Sequence, residues 1–180
     1  MKRSAVLFLL GSLVAVGAMA SSTSEKWASI QGRMTAAQTT VNLLTTADSA
    51  TAPGLLLATM THAQNLDGAI LNLRDVDTTA LDASTLADYT QDFLDLFTIV
   101  GQLRDTATAL GYSDLAAEFQ TCWSDAQCIF WHQMDLDPAF TASWNTLVAN
   151  AKPPQQIIDA IDLKPPQQII DIVYAKPPQQ

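Results

Sequence analysis

The 180-residue sequence has few of the side chains from which catalytic and metal sites are built. Its only histidines are His62 and His132. His62 has no ligand-type residue three or four positions away, and His132 has only Asp135 at such a spacing. No His-Glu-x-x-His, Gly-x-Ser-x-Gly, Cys-x-x-Cys-His or glycine-rich phosphate loop occurs. We therefore predict that the protein is not an enzyme, with no catalytic residues, no metal site and no cofactor.

Basic side chains are also scarce. Nine Lys and Arg stand against 18 Asp and Glu, which gives a formal net charge of -9. Nucleic acids and anionic membrane surfaces attract proteins through basic patches. The charge balance therefore argues against nucleic acid and anionic membrane as partners.

Long apolar runs are absent except at the start of the chain. Residues 1–3, Met-Lys-Arg, precede an apolar stretch over residues 5–20 that ends in Ala-Met-Ala before a run of Ser and Thr. This order is typical of a secretory signal peptide, and the stretch is shorter than the ~20 residues that a membrane helix needs. The sequence predicts a signal peptide over residues 1–20, cleavage after Ala20, a secreted or extracytoplasmic protein, and no integral membrane span in its mature form.

The mature sequence is dominated by apolar residues that recur every three or four positions. This spacing places them on one face of an α-helix. The longest stripe consists of Leu86, Tyr89, Phe93, Leu96, Val100, Leu103, Ala107 and Leu110. Gly111 follows directly, where a helix end favours a residue that tolerates positive φ. Asp82 or Thr85 is the predicted cap at its start.

Further helices are predicted on both sides of this one. Stripes of the same kind run over residues 25–48 and 55–74, and a helix restarts at Ser113 or Asp114. A last helix is expected over 138–149, because proline suits the first helical position. No segment alternates with the period of a strand. The sequence predicts an all-α fold, an up-and-down bundle of four to five helices over residues 21–150.

Proline is concentrated in the tail, residues 151–180. Lys-Pro-Pro-Gln-Gln begins at Lys152, Lys164 and Lys176, a period of 12 residues. Each full unit has the length of a two-turn helix, which is too short to be stable alone. The units are therefore expected either to dock on the bundle or to stay disordered, as a tolerated extension or as a partner-binding segment. Their predicted apolar faces carry Ile157, Ile158 and Ile161, then Ile169, Ile170 and Val173.

Cys122 and Cys128 are the only cysteines. In an exported protein such a pair favours a disulfide. Residues six apart on one helix are ~9 Å apart along its axis, whereas a disulfide needs Cα atoms within ~7 Å. We predict an intrachain disulfide, and with it a break in the helix near Ser124. Free thiols or an intermolecular bridge remain as alternatives, because the apolar spacing here also reads as one unbroken helix.

Six aromatic residues are concentrated between positions 119 and 144. They are Phe119, Trp123, Phe130, Trp131, Phe140 and Trp144. One interpretation is a pocket or patch that contacts apolar ligands or surfaces. The other is the packed core at one end of the bundle. Trp131 is expected to be the most exposed, because it cannot share a helix face with Phe130.

The layout of residues 30–110 resembles that of the fungal hydrophobic-surface-binding proteins, which are small, secreted, all-helical and rich in Ala, Thr and Asp. An early helix, IQGRMTAAQTTVNLL, leads to a middle helix and then to ALDASTLADYTQDFLDLFTIVGQL. The resemblance implies adsorption to hydrophobic solids or binding of lipid-like ligands. It carries over no individual site residue.

The leading hypothesis is therefore an exported, non-enzymatic binding or surface-associated protein that adsorbs to hydrophobic surfaces or apolar ligands. A second hypothesis is a secreted effector or inhibitor that binds a protein partner through the repeat tail. A third is a carrier of one small apolar ligand.

Overall fold

The computed structural model describes residues 3–177, and the surroundings of side chains from residue 23 onward. Within this part the chain is all-helical and contains no strand. The prediction of an all-α fold is confirmed. The α-helices are, in chain order, α1 Arg3–Leu44, α2 Ala52–Leu71, α3 Ala83–Ala109, α4 Ser113–Leu136, α5 Pro138–Ala151, α6 Gln155–Ile161 and α7 Gln167–Ala175. Two short 3-10 turns, Asn72–Asp75 and Thr78–Ala80, connect α2 to α3.

Helix α3 carries the longest apolar stripe that the sequence predicts. At its start the Asp82 carboxylate accepts a hydrogen bond of 2.8 Å from the backbone N–H of Thr85, so Asp82 is the cap. At its end Gly111 has φ +82°, as the sequence indicated. Every stripe residue from Leu86 to Ala107 is buried, and Leu110 is partly buried. Local signals and the burial pattern therefore agree along the whole helix.

Helices α1, α4 and α5 pack around α3, and α2 packs on the outside against α1 and α4. Helix α1 packs against α2 and α3, α4 packs against α2 and α3, and α5 packs against α3. Phe93 lies at the centre of the core, with its ring in edge-on contact with Trp27 and Tyr89 at centroid distances of 5.2 Å. Phe130 from α4 and Phe140 from α5 complete the cluster. These contacts are those of a helical bundle with one continuous core.

The boundaries of α2 differ from the predicted range of residues 55–74 at both ends. Helix α2 begins at Ala52 rather than Leu55, because Pro53 lies in its first turn, where no intrahelical N–H bond is lost. It ends at Leu71, and the predicted last residues form a 3-10 turn. Helix α5 begins at Pro138, where Asp137 accepts a bond of 2.9 Å from the N–H of Ala139, as expected.

The two complete repeat units form short helices, α6 and α7. Ile158 and Ile161 are buried in the first, and the equivalent Ile170 and Val173 in the second. Ile169, placed on the buried face by prediction, is 45% exposed. Before α6 the chain turns at Lys152, which ends α5 in the left-handed conformation with φ +46°. Helix α7 packs against α4, so the repeats are docked rather than extended.

Parts of the prediction lie outside the described residues. These are residues 1 and 2, the side chains of the rest of the signal peptide, and residues 178–180 of the third repeat. Cleavage after Ala20 therefore stays a prediction. Within the described part, no helix combines the length and apolarity required to cross a membrane.

Truncation of Phe93 tests the assignment of the core. Phe93 is fully buried, so Phe93→Ala is expected to lower the free energy of unfolding by about 3–5 kcal/mol, as deletion of a buried aromatic ring usually does. Asp88→Ala, an exposed change on the same helix, should cost less than about 0.5 kcal/mol. Urea unfolding of both variants gives the comparison. Equal losses would mean that the buried face of α3 is assigned wrongly.

Candidate functional site

The aromatic residues at positions 119–144 lie in the core and do not form an exposed patch. Five of them are buried, namely Phe119, Trp123, Phe130, Phe140 and Trp144. Trp131 is the most exposed of the six, as expected, but it is still partly buried. Its indole N–H donates a hydrogen bond of 2.8 Å to the carbonyl of Ile161 in the tail. Of the two interpretations, the structure therefore matches the packed core.

Cys122 and Cys128 are free thiols on one unbroken helix. The predicted disulfide is absent from the structure, and the helix break that it required near Ser124 does not occur. On an intact helix, residues six positions apart are separated by ~9 Å along the axis, which is too far for a disulfide. The Cys122 thiol donates to the carbonyl of Ala63 at 3.4 Å. Burial raises the pKa of Cys122 above its usual range and that of Cys128 to about 11, so both thiols stay protonated.

A groove of about 600 Å³ lies between α3 and α5. No charged side chain lines it among the described residues. Alanine and other small residues face one another across the two helices, and these short side chains leave the space open. The lining residues are Leu81, Ala83, Leu86, Ala87, Thr90, Ala139, Ala142, Ser143, Thr146, Leu147 and Asn150. The volume is within the usual range for sites that bind small molecules.

Two hydroxyl groups meet in this groove. The oxygens of Thr90 and Ser143 are 3.1 Å apart, and the Thr90 hydroxyl also lies 2.9 Å from the carbonyl of Ala87. Because Thr90 uses its one proton on that carbonyl, Ser143 donates to Thr90. The lone pairs of the Ser143 oxygen are then free to accept a hydrogen bond from a ligand. The groove is thus mainly apolar, with hydrogen-bonding groups on Ser143, Thr146 and Asn150.

The sequence alone does not identify this groove. Its signal was a set of small residues, Ala139, Ala142, Ser143 and Thr146, beside the apolar stripe of α5. Such residues are common on exposed helix faces. Only the separation of α3 and α5 shows that they border an open space.

A second polar feature joins α2, α4 and the tail. The carboxylate of Asp125, 4% exposed, forms an ion pair with the ammonium of Lys176. Asp67 approaches the same carboxylate from α2, and one of its oxygens is buried without a hydrogen-bond partner among the described residues. Burial, followed by the negative charge of Asp125, raises the pKa of Asp67 well above its usual range, although Lys176 acts in the opposite direction. A protonated Asp67 can donate to Asp125.

Neither histidine lines the groove or takes part in the Asp125–Lys176 ion pair. The imidazole of His132 packs against the ring of Tyr174 from α7, at a centroid distance of 4.0 Å. No cluster of three or more His, Cys, Asp or Glu side chains in the described part of the chain could hold a metal ion. The groove between α3 and α5 brings together mainly small residues, and the second feature brings together the carboxylates of Asp67 and Asp125.

Comparisons with protein-family models, with curated proteins and with solved structures gave no match. The resemblance to hydrophobic-surface-binding proteins therefore stays an expectation from sequence layout.

The raised pKa of Asp67 predicts a pH dependence of stability. Because folding raises this pKa, protonation of Asp67 favours the folded state, and its contribution is fully present below the unfolded value of 3.8. That contribution is lost as the pH rises toward neutrality. Asp67→Asn replaces the protonated carboxyl by a neutral amide, so this variant should lose less stability than the wild type between about pH 4 and about pH 8.

Urea unfolding across this pH range measures the effect. Asp88→Asn, an exposed change, serves as the control and should follow the wild-type curve. Parallel curves for Asp67→Asn and the wild type would contradict the assignment.

Proposed function

We propose that the protein is an exported, non-enzymatic binding protein, an up-and-down helical bundle whose groove between α3 and α5 takes one small, uncharged, apolar molecule. The observation that carries the proposal is the groove itself. It has a volume of about 600 Å³ and no charged lining residue in the described part of the chain. A site of this kind binds by removing apolar surface from water.

The shape of the apolar surface favours a molecule over a flat solid. The groove is concave, whereas the large apolar side chains that are exposed elsewhere are spread over four helices and one connection, and only Ile169 and Ile172 share a helix. The exposed side chains are those of Leu43, Leu57, Leu136, Leu163, Ile169 and Ile172. The aromatic rings that could have formed a flat adsorbing patch are in the core. Adsorption to hydrophobic solids is therefore the weaker form of this proposal.

The chemistry of the groove restricts the ligand further. A carboxylate or phosphate would find no cation there and would meet a protein of net charge -9. The free lone pairs of Ser143 instead suit a ligand with a hydroxyl group. A long-chain or cyclic aliphatic alcohol meets both requirements. The proposed ligand class is thus neutral, apolar and able to donate one hydrogen bond.

Export is the second part of the proposal, and it is supported by the basic start, the short apolar stretch and the Ala-Met-Ala that precedes residue 21. We expect the protein recovered from the extracytoplasmic fraction to begin at Ser21. N-terminal sequencing or intact-mass measurement of that fraction tests this. A chain that retains residues 1–20, or that is found only inside the cell, would contradict export.

Filling the groove tests the binding site. Ala142 is exposed and lines the groove, so Ala142→Phe should occupy the space without disturbing the core. We expect the uncharged fluorescent probe N-phenyl-1-naphthylamine to bind the wild type saturably, and Ala142→Phe to weaken binding by at least about ten-fold. A fatty alcohol should displace the probe at lower concentration than the fatty acid of equal length.

Ala149→Phe is the matched control, because Ala149 is an exposed residue of the same helix outside the groove. It should bind the probe as the wild type does. Absence of saturable binding, or equal loss in both variants, would contradict the proposal.

A further inference from the structure

The two docked repeats contact the bundle through the same repeat positions. Ile158 and Ile161 of the first unit and Ile170 and Val173 of the second are the buried pairs, related by the 12-residue period. The carbonyl of the second member of each pair accepts a hydrogen bond from the bundle, and the lysine three residues later forms an ion pair with an aspartate of α4. The bundle thus presents two neighbouring sites, each binding the same part of one repeat.

The first site binds the end of α6. The side-chain amide of Gln127 donates to the carbonyls of Ala160 at 2.8 Å and Ile161 at 3.1 Å. The indole of Trp131 donates to Ile161 as well. Lys164 then forms an ion pair of 2.6 Å with Asp135. Donors thus meet the carbonyl end of the helix, where unpaired acceptors remain.

The second site repeats this arrangement at the end of α7. The guanidinium of Arg74 donates to the carbonyls of Val173 and Lys176, both at 2.8 Å. The ammonium of Lys176 pairs with the buried Asp125. Val173 and Lys176 are the period-12 equivalents of Ile161 and Lys164. Carbonyl capping, lysine recognition and the buried aliphatic pair are therefore common to both sites.

The segment is held by these contacts and not by its own helices. Two-turn helices are unstable in isolation, and prolines precede both α6 and α7. Each helix contributes only two fully buried aliphatic residues. Segments with few buried contacts open locally without unfolding the domain. Detachment of α7 would leave the rest of the core intact.

We propose that the face of α4 that carries Asp125, Gln127, Trp131 and Asp135, together with Arg74, is a docking surface for a short amphipathic helix that is followed by a lysine. In this structure the chain's own repeats occupy the surface, and the same repeat from a second copy can bind there in their place. The ligand that this surface recognises is a short helix with two aliphatic residues on one face and unpaired carbonyls at its C-terminal end. A lysine follows three residues after the second aliphatic residue. The tail is thus an intramolecular ligand, and a repeat supplied in trans competes for its site.

Cys128 lies under α7 and reports on the occupancy of the second site. It is three residues after Asp125 and four before His132, on the same face of α4. Both neighbours contact this segment, since His132 packs on Tyr174 of α7 and Asp125 pairs with Lys176, the residue that follows α7. Cys128 is 1% exposed. Cys122 instead contacts Ala63 of α2. Its reactivity therefore reports on opening of the bundle itself, and it serves as an internal control.

The experiment measures maleimide labelling of each thiol in the full-length chain, kept reduced with a phosphine and assigned by fragment-ion mass spectrometry. Lys176→Met removes the cation that pairs with the buried Asp125 carboxylate. We expect labelling of Cys128 to accelerate at least about ten-fold, because a buried carboxylate is left without its partner. Labelling of Cys122 should not change. Lys152→Met is the matched control, because Lys152 holds the equivalent repeat position but is exposed.

A peptide of residues 164–177 is then added in excess to the Lys176→Met chain. We expect it to slow the labelling of Cys128 towards the wild-type rate, while the same peptide carrying the Lys176→Met change does not. The variant background is needed because the tethered wild-type tail has a high effective concentration at its own site.

Three results would overturn the proposal. Unchanged labelling of Cys128 in Lys176→Met would mean that the lysine does not hold the segment. Equal acceleration at Cys122 and Cys128 would mean that the tail and the bundle open as one unit. Failure of the wild-type peptide to protect Cys128 would show that the surface does not accept the repeat in trans.

Discussion

The burial of Phe93 among rings from three other helices is the interaction on which the rest of the structure depends. Trp27 approaches from α1, Phe130 from α4 and Phe140 from α5, each edge-on to Phe93. A large ring in this position requires these three helices to approach the same point of α3. The mutual arrangement of the helices, and with it the separation of α3 and α5 that opens the groove, follows from this packing.

The parts of the fold that could be predicted are those where one local pattern decides the outcome. The stripe of α3, its cap Asp82 and the positive φ of Gly111 depend on spacing and on single-residue conformational preference, and all three appear as expected. The cysteines show the opposite case. The expected export of the protein favours a disulfide, whereas the continuous apolar face of α4 around Phe119 and Phe130 favours an unbroken helix. The helix is unbroken in the structure, because the packing of that face keeps it intact.

The groove and the docking surface could not be found from sequence for a different reason. Both depend on contacts between residues that are far apart in the sequence. Thr90 and Ser143 are separated by 53 residues, and Asp125 and Lys176 by 51. Small residues and isolated aspartates carry no local sign of such a partner. Buried carboxylates are rare enough in proteins that Asp125 identifies the site once its burial is known.

The 12-residue repeat contains its own beginning and its own end. Each unit starts with a lysine and two prolines, and the prolines fix the backbone before the helix. The helix is followed by the lysine that opens the next unit. A duplication or loss of one whole unit would therefore leave the register of every remaining unit unchanged. A change in the number of units would alter the length of the tail in whole repeats and leave the sequence of the bundle as it is.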